Sequence, residues 1–532
     1  MPTLEWIGKD KVINHHLDVP YRVLERKYSF DENGQHEEDN GSENMIIHGD
    51  NLDALKSLLP QYEGRVKCIY IDPPYNTGNE KWVYNDNVND PRIKAWLGRV
   101  VGAEGEDLSR HDKWLCMMYP RLKLLQRLLS DDGAIFISID DSELFYLKLV
   151  CDEIFSKSNY VCTFVWQKRY SPPPDTKEVG YMHETILMYR KTANFQMQLL
   201  PFTEEQTSRY QNPDNDPRGP WKSMDYTCRF TTAQRPNLNY PITNPNTGEE
   251  IWPNPNRAWA MSRETHEKNV EENRLYWGVT GKNHVPALKN FLSEIKQGRM
   301  PTTLLLYSEV GHNQEAKQEI KTIFPKEQVF DTPKPRRLIE HLLTIASKKN
   351  DIILDSFAGS GTTAHAVLNM NKADGGNRQF ILVEMMDYAD SITAERVKRV
   401  IQGYGTGKQA AEGTGGNFSY YELGAPLMIG ENLNEAVGID KIREYVFFTE
   451  TKCRLPEAHT DEPYYLGEHA NNAYYFYYER DAITTLNRDF LRTVKTKADG
   501  YVIYADLCTL SEEERERHHI TFKKIPRDIT KL

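Results

Sequence analysis

The stretch Val66-Lys67-Cys68-Ile69-Tyr70-Ile71-Asp72-Pro73-Pro74-Tyr75-Asn76 decides the fold, because an apolar run leads directly into a carboxylate, two prolines and an aromatic ring. The run from Val66 to Ile71 is short and apolar apart from Lys67, which predicts a buried strand of a parallel sheet. Asp72 then lies at the carboxyl edge of that sheet, where open α/β sheets bind their ligands.

The residues that follow this strand are suited to hold a flat amine. Pro73 and Pro74 have fixed φ angles and no N–H, so the backbone is stiff and its carbonyls can accept hydrogen bonds from a ligand. Tyr75 adds a ring for stacking. A carboxylate, a carbonyl and a ring can together grip the exocyclic amino group of a nucleobase. The alternative is a plain turn after a strand, since Asp and Pro are ordinary turn residues.

A second apolar strand runs into a glycine turn at Ile352-Ile353-Leu354-Asp355-Ser356-Phe357-Ala358-Gly359-Ser360-Gly361-Thr362-Thr363. Two glycines let the backbone come close to a ligand. An acidic residue about 20 positions further on, at the end of the next strand, would take ribose hydroxyls, and Glu384 fits that place. The loop lacks the Gly-Lys-Ser/Thr ending of a phosphate-binding loop, and it meets the dinucleotide pattern only loosely, with Ala364 in the third place. A tight strand-to-helix turn is the simpler alternative.

Together, the two motifs resemble the amino-methylating DNA methyltransferases that use S-adenosylmethionine, in the β order that places the catalytic motif ahead of the glycine loop. The resemblance covers about residues 44 to 425 and includes three further segments: His48-Gly49-Asp50-Asn51-Leu52, Ile137-Ser138-Ile139-Asp140-Asp141 and Asp331-Thr332-Pro333-Lys334-Pro335. The segment Asn212-Pro213-Asp214-Asn215-Asp216-Pro217-Arg218-Gly219-Pro220-Trp221 is similar to the methylation (Mod) subunit of type III restriction-modification systems.

This resemblance implies an α/β fold with a Rossmann-like, S-adenosylmethionine-dependent methyltransferase sheet, an inserted irregular target-recognition domain and a C-terminal α+β domain. A chain of 532 residues is too long for one hydrophobic core. The expected parts are an N-terminal extension (1–43), the first part of the catalytic domain (44–160), the target-recognition domain (161–330), the cofactor-binding part (331–403), and a linker with a C-terminal assembly domain (404–532).

The resemblance also assigns the site residues. The residues expected to act in catalysis are Asp72, Pro73, Pro74 and Tyr75. Those expected to bind the cofactor are Asp50, Asn51, Lys334, Asp355, Phe357, Gly359, Gly361, Thr362 and Glu384. For Asp50 a helix N-cap is the alternative role. Asp140 and Asp141 also follow a strand, but magnesium needs more oxygen ligands than two adjacent acids supply, so we expect a cap or loop anchor and no metal.

The charge distribution indicates which part of the chain meets DNA. The net charge is −11, yet residues 161–350 carry 26 Lys and Arg against 21 Asp and Glu, a net of +5, which leaves −16 for the remainder. Basic and aromatic side chains are interspersed there, a mixture expected of a surface that binds phosphates and base edges. The predicted DNA-binding residues are Arg209, Arg218, Lys222, Arg229 and Arg235.

Three alternatives apply to this middle segment. Its charges could simply form a solvated mixed surface, or its aromatic residues could form a core of their own. A nuclease site built from Pro213-Asp214 and Glu294-Ile295-Lys296 is disfavoured because the two halves are about 80 residues apart.

The segment between Asn76 and Arg110 is rich in Asn, Asp and Gly, which predicts a mobile loop over the active site.

The implied activity is methyl transfer from S-adenosylmethionine to adenine N6 of a flipped-out base in double-stranded DNA. Adenine is preferred over cytosine N4 because Asp at the first motif position is the commoner adenine form in the family. The resemblance further implies a homodimer and, in a type III system, a restriction (Res) helicase-nuclease partner. A solitary methyltransferase, a dinucleotide-dependent enzyme and a catalytically idle DNA-binding subunit remain open.

Other features of the sequence limit the class of protein. The seven cysteines are scattered without a Cys-x-x-Cys pair, so neither a zinc site nor a disulfide framework is indicated. No apolar run of 18 residues exists, and the first residues lack a signal-peptide core. These features predict a cytoplasmic protein without membrane contact. Because the sequence has no Gly-x-x-x-x-Gly-Lys-Ser/Thr motif, ATP hydrolysis is not expected of this chain.

Overall fold

The strand predicted from Val66 to Ile71 lies near the centre of an eleven-stranded mixed sheet. The computed structural model describes residues 3–76, 110–172, 179–296, 298–325, 330, 332–456 and 461–527. The strands of this main sheet are β1 (Arg22–Asp31), β2 (Gly34–His36), β3 (Met45–His48), β4 (Val66–Ile71), β5 (Leu129–Ile139), β6 (Tyr160–Gln167), β7 (His183–Arg190), β8 (Leu304–Leu305), β9 (Ile352–Asp355), β10 (Gln379–Glu384) and β11 (Phe418–Pro426).

The strand order is β8-β6-β7-β5-β4-β9-β10-β3-β11-β1-β2. The six strands from β5 to β11 in that order are mutually parallel, whereas β7 and β1 pair antiparallel with their neighbours. All six residues of β4 are buried, as expected for a strand covered on both faces. The fold class predicted from the sequence, a Rossmann-like α/β sheet, is confirmed.

Helices occur throughout the described residues, and several of them pack on the main sheet. They are α1 (Lys9–Val12), α2 (His15–Asp18), α3 (Asn51–Tyr62), α4 (Arg110–Leu128), α5 (Asp141–Cys151), α6 (Glu204–Ser208), α7 (Arg263–Glu271), α8 (Tyr307–Val310), α9 (Asn313–Ile323), α10 (Arg336–Ala346), α11 (Thr362–Asp374), α12 (Glu395–Gln402), α13 (Ile439–Thr451), α14 (Arg488–Leu491) and α15 (Glu512–Arg517). Apolar residues of α3 and α4 pack with those of β4 and β5 in one large cluster. Among the helices described, none is long and apolar enough to cross a membrane.

The chain forms two compact units, one of residues 1–197 with 302–532 and one of residues 198–301. The smaller unit contains fewer residues than the predicted segment 161–330. Strands β6 and β7 of that segment pair with each other and join the main sheet through β5. Both strands are largely apolar, and the run Pro172 to Pro174 lies between them in the sequence. The loop predicted between Asn76 and Arg110 lies, apart from its ends, outside the described residues.

The N-terminal extension is part of the main sheet. β1, which lies in the predicted extension 1–43, pairs antiparallel with β11, which lies in the predicted C-terminal part 404–532. Tyr28 stacks on Tyr420 with ring centroids 5.0 Å apart, and Phe30 stacks on Phe418 at 5.8 Å. β1 and β2 form a hairpin whose turn follows Asp31. Aromatic cross-strand pairs, which charge patterns do not reveal, therefore join the extension to the sheet.

The smaller unit has a three-stranded sheet of Leu275–Tyr276, Ala287–Phe291 and Trp221–Asp225 and several two-residue ladders. Its core is aromatic: Tyr226, Tyr240, Trp259 and Trp277 are all buried in one cluster. The alternative that the aromatic residues of this segment form their own core is therefore confirmed for these four side chains.

The C-terminal residues form an α+β arrangement, as predicted. Strands β12 (Tyr465–His469), β13 (Asn472–Phe476), β14 (Gly500–Ala505) and β15 (Ile520–Lys524) make a four-stranded sheet in sequence order. Phe447 of α13 packs against one face, and Phe490 of α14 packs against the other. The aromatic run from Tyr474 to Tyr478 supplies both faces, so its residues are core residues, and a role in assembly stays a prediction.

We predict that Phe30→Ala lowers the free energy of unfolding by about 3 kcal/mol, because it removes a buried ring from the β1–β11 ladder. Lys27→Ala on the same strand is the control, since Lys27 is exposed and its ion pairs with Glu25 and Glu422 lie at the surface. Urea denaturation of both variants measures the difference. Equal effects would mean that β1 is not an integral strand.

Candidate active site

Four acidic residues lie at one edge of the main sheet because of the strand order. β4, β9, β10 and β3 are consecutive, parallel neighbours, so their carboxyl ends face the same side. Asp72 follows β4, Asp355 ends β9, Glu384 ends β10 and Asp50 follows β3 after Gly49. The structure thus brings the two motifs to adjacent strands, although they are far apart in sequence.

Asp72 is held by a lysine and a tyrosine. The Lys334 ammonium donates to both carboxylate oxygens of Asp72, at 2.8 and 2.7 Å, and to the Tyr75 hydroxyl oxygen at 2.7 Å. The Tyr75 hydroxyl lies 2.7 Å from Asp72 Oδ1, to which it donates. Burial raises the pKa of Asp72, and the charge of Lys334 opposes that rise.

Glu184, on β7, is a member of this cluster that the sequence did not reveal. Its carboxylate accepts from Lys168 at 3.0 Å and lies 3.5 Å from the Lys334 ammonium and 3.1 Å from the Tyr75 hydroxyl. Burial acts to raise its pKa, but Lys334 and Lys168 bring it below its usual value. The available signal was an acidic residue directly before the apolar run Thr185 to Tyr189, a position we had assigned to the irregular segment.

The backbone after β4 is anchored on both sides. The Trp114 indole donates to the Pro74 carbonyl at 2.7 Å, so this carbonyl already has a protein partner. Asn76 has a φ of 58° and donates to Glu143 at 2.5 Å. A left-handed non-glycine residue is strained, and here a buried hydrogen bond to a fully buried carboxylate holds it. The Asp-Pro-Pro-Tyr segment is therefore fixed before any ligand enters.

The glycine turn after β9 is closely packed against neighbouring residues. Gly359 and Gly361 have φ angles of 51° and 79°, a region that side chains rarely adopt. A Cβ at Gly359 would lie 3.1 Å from the Phe330 ring, and one at Gly361 would lie 3.0 Å from the Thr393 carbonyl oxygen. The Gly359 N–H donates to Glu384 at 2.8 Å, which joins the turn to the end of β10.

Two buried carboxyl groups flank this turn. Asp355 accepts from the Phe357 N–H at 3.0 Å and from the Thr363 hydroxyl at 2.5 Å. Burial raises the pKa of Asp355 to about 7 and that of Glu384 to about 7, although hydrogen bonds to the two carboxylates act in the opposite direction. Both groups therefore titrate in the neutral range.

The other residues expected to bind a cofactor have visible structural roles. Asp50 caps α3 by accepting from the Leu52 N–H at 2.8 Å, so the capping alternative is confirmed. Asn51 donates to the Ser356 carbonyl at 3.1 Å and accepts from Arg121 at 2.5 Å, which ties α3 to the glycine turn. The Thr362 hydroxyl accepts from the buried Arg396 at 2.7 Å, which ties the start of α11 to α12.

The predicted DNA-binding residues of the smaller unit fall into two groups. Arg218 is bound to Asp216 at 2.8 Å and donates to two backbone carbonyls, so it supports the fold of the unit. Arg229 and Arg235 flank the exposed Phe230, with guanidinium carbons 5.7 and 4.9 Å from its ring centroid. Arg209 pairs with Glu205 at the surface, and Lys222 lies 5.4 Å from the Tyr210 ring centroid.

Two metal-site alternatives are resolved by local contacts. Asp140 caps α5 by accepting from the backbone and the hydroxyl of Ser142, as predicted. Asp214 is bound to Lys289, whereas Glu294 is bound to Arg274, so the two halves of the nuclease pattern are in separate ion pairs. No group of three or more His, Cys, Asp or Glu arranged to hold a metal is found among the described residues.

A parallel sheet with a glycine turn after one strand and Asp-Pro-Pro-Tyr after its neighbour defines the α/β class that positions a nucleoside-type ligand beside a second substrate. The chain belongs to the DNA methylase family, whose family model matches residues 66–446. The predicted family resemblance is confirmed.

Similar proteins include Mod subunits of type III systems and a type II enzyme. The chain is 35% identical over 415 residues to the StyLTI Mod subunit of Salmonella typhimurium, covering 73% of this chain and 61% of that protein. It is 30% identical over 448 residues to the EcoP15I Mod subunit of Escherichia coli, covering 76% and 67%. It is 33% identical over 359 residues to the type II methyltransferase M.KpnI of Klebsiella pneumoniae, covering 64% and 80%.

We predict that Asp355→Asn gains stability relative to the parent as the pH rises from about 5 to about 8, by up to about 2 kcal/mol. In the folded chain the pKa of Asp355 is about 7 instead of 3.8, so its favourable contribution is complete below about pH 4 and is lost as the pH rises through 7. The amide does not ionise and keeps the oxygen that Phe357 needs.

Urea midpoints at both pH values, without added ligand, measure this difference. The exposed Asp481→Asn is the control, for which the difference from the parent should stay constant between the two pH values. A constant difference for Asp355→Asn as well would show that this carboxyl group titrates as an exposed one does.

Proposed function

We propose that this chain transfers the methyl group of S-adenosylmethionine to the exocyclic amino nitrogen of a base in DNA, with adenine N6 as the target. The observation that carries the proposal is the pairing of β4 with β9, which sets the Asp72 carboxylate beside the glycine turn. Family membership and the relatives named as Mod subunits support it.

The residues of the glycine turn fit the adenosyl part of S-adenosylmethionine. Gly359 and Gly361 let the turn pack closely, because a Cβ at either position would touch protein atoms, and their bare backbone would let the adenosyl group approach. Glu384 would accept from ribose hydroxyls, and Phe357 would line the same side. Asp50 would use the part of its carboxylate that the cap leaves exposed. When bound, S-adenosylmethionine supplies a methyl group activated by a positively charged sulfur.

Asp72 would act on the base. The lone pair of an aromatic amine is delocalised into the ring, so the nitrogen is a poor nucleophile until its N–H groups donate to strong acceptors. The Asp72 carboxylate and the Pro73 carbonyl would accept these two hydrogens, and Tyr75 would offer a ring for stacking. Alignment of two reactants in this way can supply about 7 to 11 kcal/mol of the barrier. A base in a duplex must first be flipped out, at a cost of a few kcal/mol.

The smaller unit would read the target sequence. Arg229, Phe230 and Arg235 form an exposed basic and aromatic patch suited to phosphates and bases, whereas the contacts of Arg218 support the fold. The relatives named as Mod subunits support a type III modification subunit, and we propose that it acts as a homodimer with a Res subunit. The relative M.KpnI, named a type II methyltransferase, supports the second candidate, a methyltransferase that works without a Res subunit.

We predict that Asp72→Ala lowers the rate of methyl transfer at least about 100-fold while the affinity for S-adenosylmethionine stays within about twofold, because the carboxylate faces the base. For Gly359→Val we predict a loss of cofactor affinity of about tenfold or more. A branched side chain at a φ of 51° would press on the Phe330 ring. Calorimetry and transfer of labelled methyl groups to DNA measure the two effects.

Gly375→Val is the matched control for the glycine turn. Gly375 ends α11 with a φ of 64°, and a Cβ there would meet nothing within 4 Å, so this variant carries similar backbone strain away from the turn. It should bind the cofactor as the parent does. If Asp72→Ala loses binding and transfer equally, Asp72 does not face the base. Methylated bases found at cytosine N4 would overturn the adenine assignment.

We also predict that exchange of residues 198–301 for the matching unit of a relative with another recognition sequence gives an active hybrid that methylates the donor's sites. Base contacts discriminate by about 1 to 3 kcal/mol each, so the unit that makes them sets the specificity. An exchange of residues 161–330 should instead give an unfolded or inactive chain, because it replaces β6, β7 and β8 of the main sheet. Mapping of methylated sites and solubility decide between the two hybrids.

An active 198–301 hybrid that keeps the parent's recognition sequence would contradict this assignment of the unit.

A further inference from the structure

Both carboxylate oxygens of Asp72, which the proposed reaction needs as acceptors, accept hydrogen bonds from Lys334. An ammonium has three hydrogens, and the Lys334 nitrogen lies 2.7 to 2.8 Å from three oxygens, the two of Asp72 and the hydroxyl of Tyr75. Lys334 also lies 4.9 Å from the Tyr75 ring centroid. A positively charged nitrogen thus sits beside the ring and carboxylate assigned to the amino group of the base, and the two nitrogens would compete for the same carboxylate.

A second carboxylate lies within reach of the same lysine. Glu184 Oε2 is 3.5 Å from the Lys334 nitrogen, just beyond a normal hydrogen bond, and Glu184 Oε1 is bound to Lys168 at 3.0 Å. Asp72 and Tyr75 therefore face Lys334 from the end of β4, and Glu184 faces it from β7. A shift of well under about 1 Å would bring Lys334 into a hydrogen bond with Glu184.

We propose that Glu184 is a positioning residue that accepts the Lys334 ammonium when the amino group of the base enters, and so releases the oxygens of Asp72. Lys334 holds Asp72 ready before the base arrives, and Glu184 provides the place to which it withdraws. This inference rests on the proposed methyl transfer. No covalent bond changes in the exchange, which replaces the two hydrogen bonds from the ammonium to Asp72 with one to Glu184 and leaves all charges in place.

The alternative is that Glu184 only stabilises the fold by pairing with Lys168. The two roles differ in whether the effect of Glu184 depends on Lys334. If Glu184 acts by withdrawing Lys334, its removal has no consequence once Lys334 is absent. If it acts through the fold or through Tyr75, the loss is the same in either background. A double-mutant cycle separates these cases.

The experiment compares the full-length parent with Glu184→Gln, Lys334→Met and the double variant in single-turnover methyl transfer to unmodified DNA, over a range of pH and at saturating S-adenosylmethionine. We expect Glu184→Gln to slow transfer about tenfold or more with unchanged cofactor affinity by calorimetry, which also verifies folding. The acid limb of the rate profile of Lys334→Met should move to higher pH, because the pKa of Asp72, already raised by burial, loses the cation that opposes the rise.

At the alkaline plateau, the double variant should be within about twofold of Lys334→Met. A further tenfold loss in the double variant would overturn the proposal, as would an unchanged rate for Glu184→Gln in an active parent. These outcomes leave the proposed function intact, since the parent transfers methyl groups in both. A folded, cofactor-binding parent without any transfer to DNA would overturn the proposed function and this inference together.

Discussion

The pairing of β4 with β9 is the interaction on which the site depends. Cys68 and Ile69 lie opposite Ile353 and Leu354, in a parallel ladder between strands that the sequence separates by the whole smaller unit. Because both strands are fully buried, a register slip by one residue would turn every side chain to the opposite face. The register of this ladder thus sets the distance between Asp72 and the glycine turn.

At the sheet edge, the carboxylates near Asp72 are balanced by lysine side chains. Asp72 is a partly buried carboxylate and Glu184 a buried one, and Lys334 and Lys168 are the two cations that make their burial tolerable. Around the glycine turn the balance differs, because Asp355 and Glu384 are met by backbone and hydroxyl donors instead of cations. Their pKa values consequently rise to about 7, whereas that of Glu184 falls.

The parts of this structure that could be predicted from the sequence are those in which local pattern and function agree. The strands at Val66 and Ile352 and the helices α3, α4 and α10 follow from apolar periodicity, and Asp72 and Glu384 follow from their places after strands. Glu184 could not be found in this way, because its partners come from distant segments. The pairing of β1 with β11 was also missed, since long-range pairing leaves only a short alternation of aromatic residues with serine, Tyr28-Ser29-Phe30 and Phe418-Ser419-Tyr420.

The β1–β11 ladder also bears on how the chain is made. Ser29 and Ser419 share a hydrogen bond across 390 residues, so β1 emerges from the ribosome long before its partner exists. At about 5 to 20 residues per second the interval is roughly 20 to 80 s. During this time Phe30 can pair with Gln35 of β2, but Tyr28 and Phe30 both lack the rings of β11 on which they stack. The last strand of the main sheet in the sequence, β11, therefore pairs with the first, β1. Until β11 is made, the aromatic residues of β1 lack their partners on that strand.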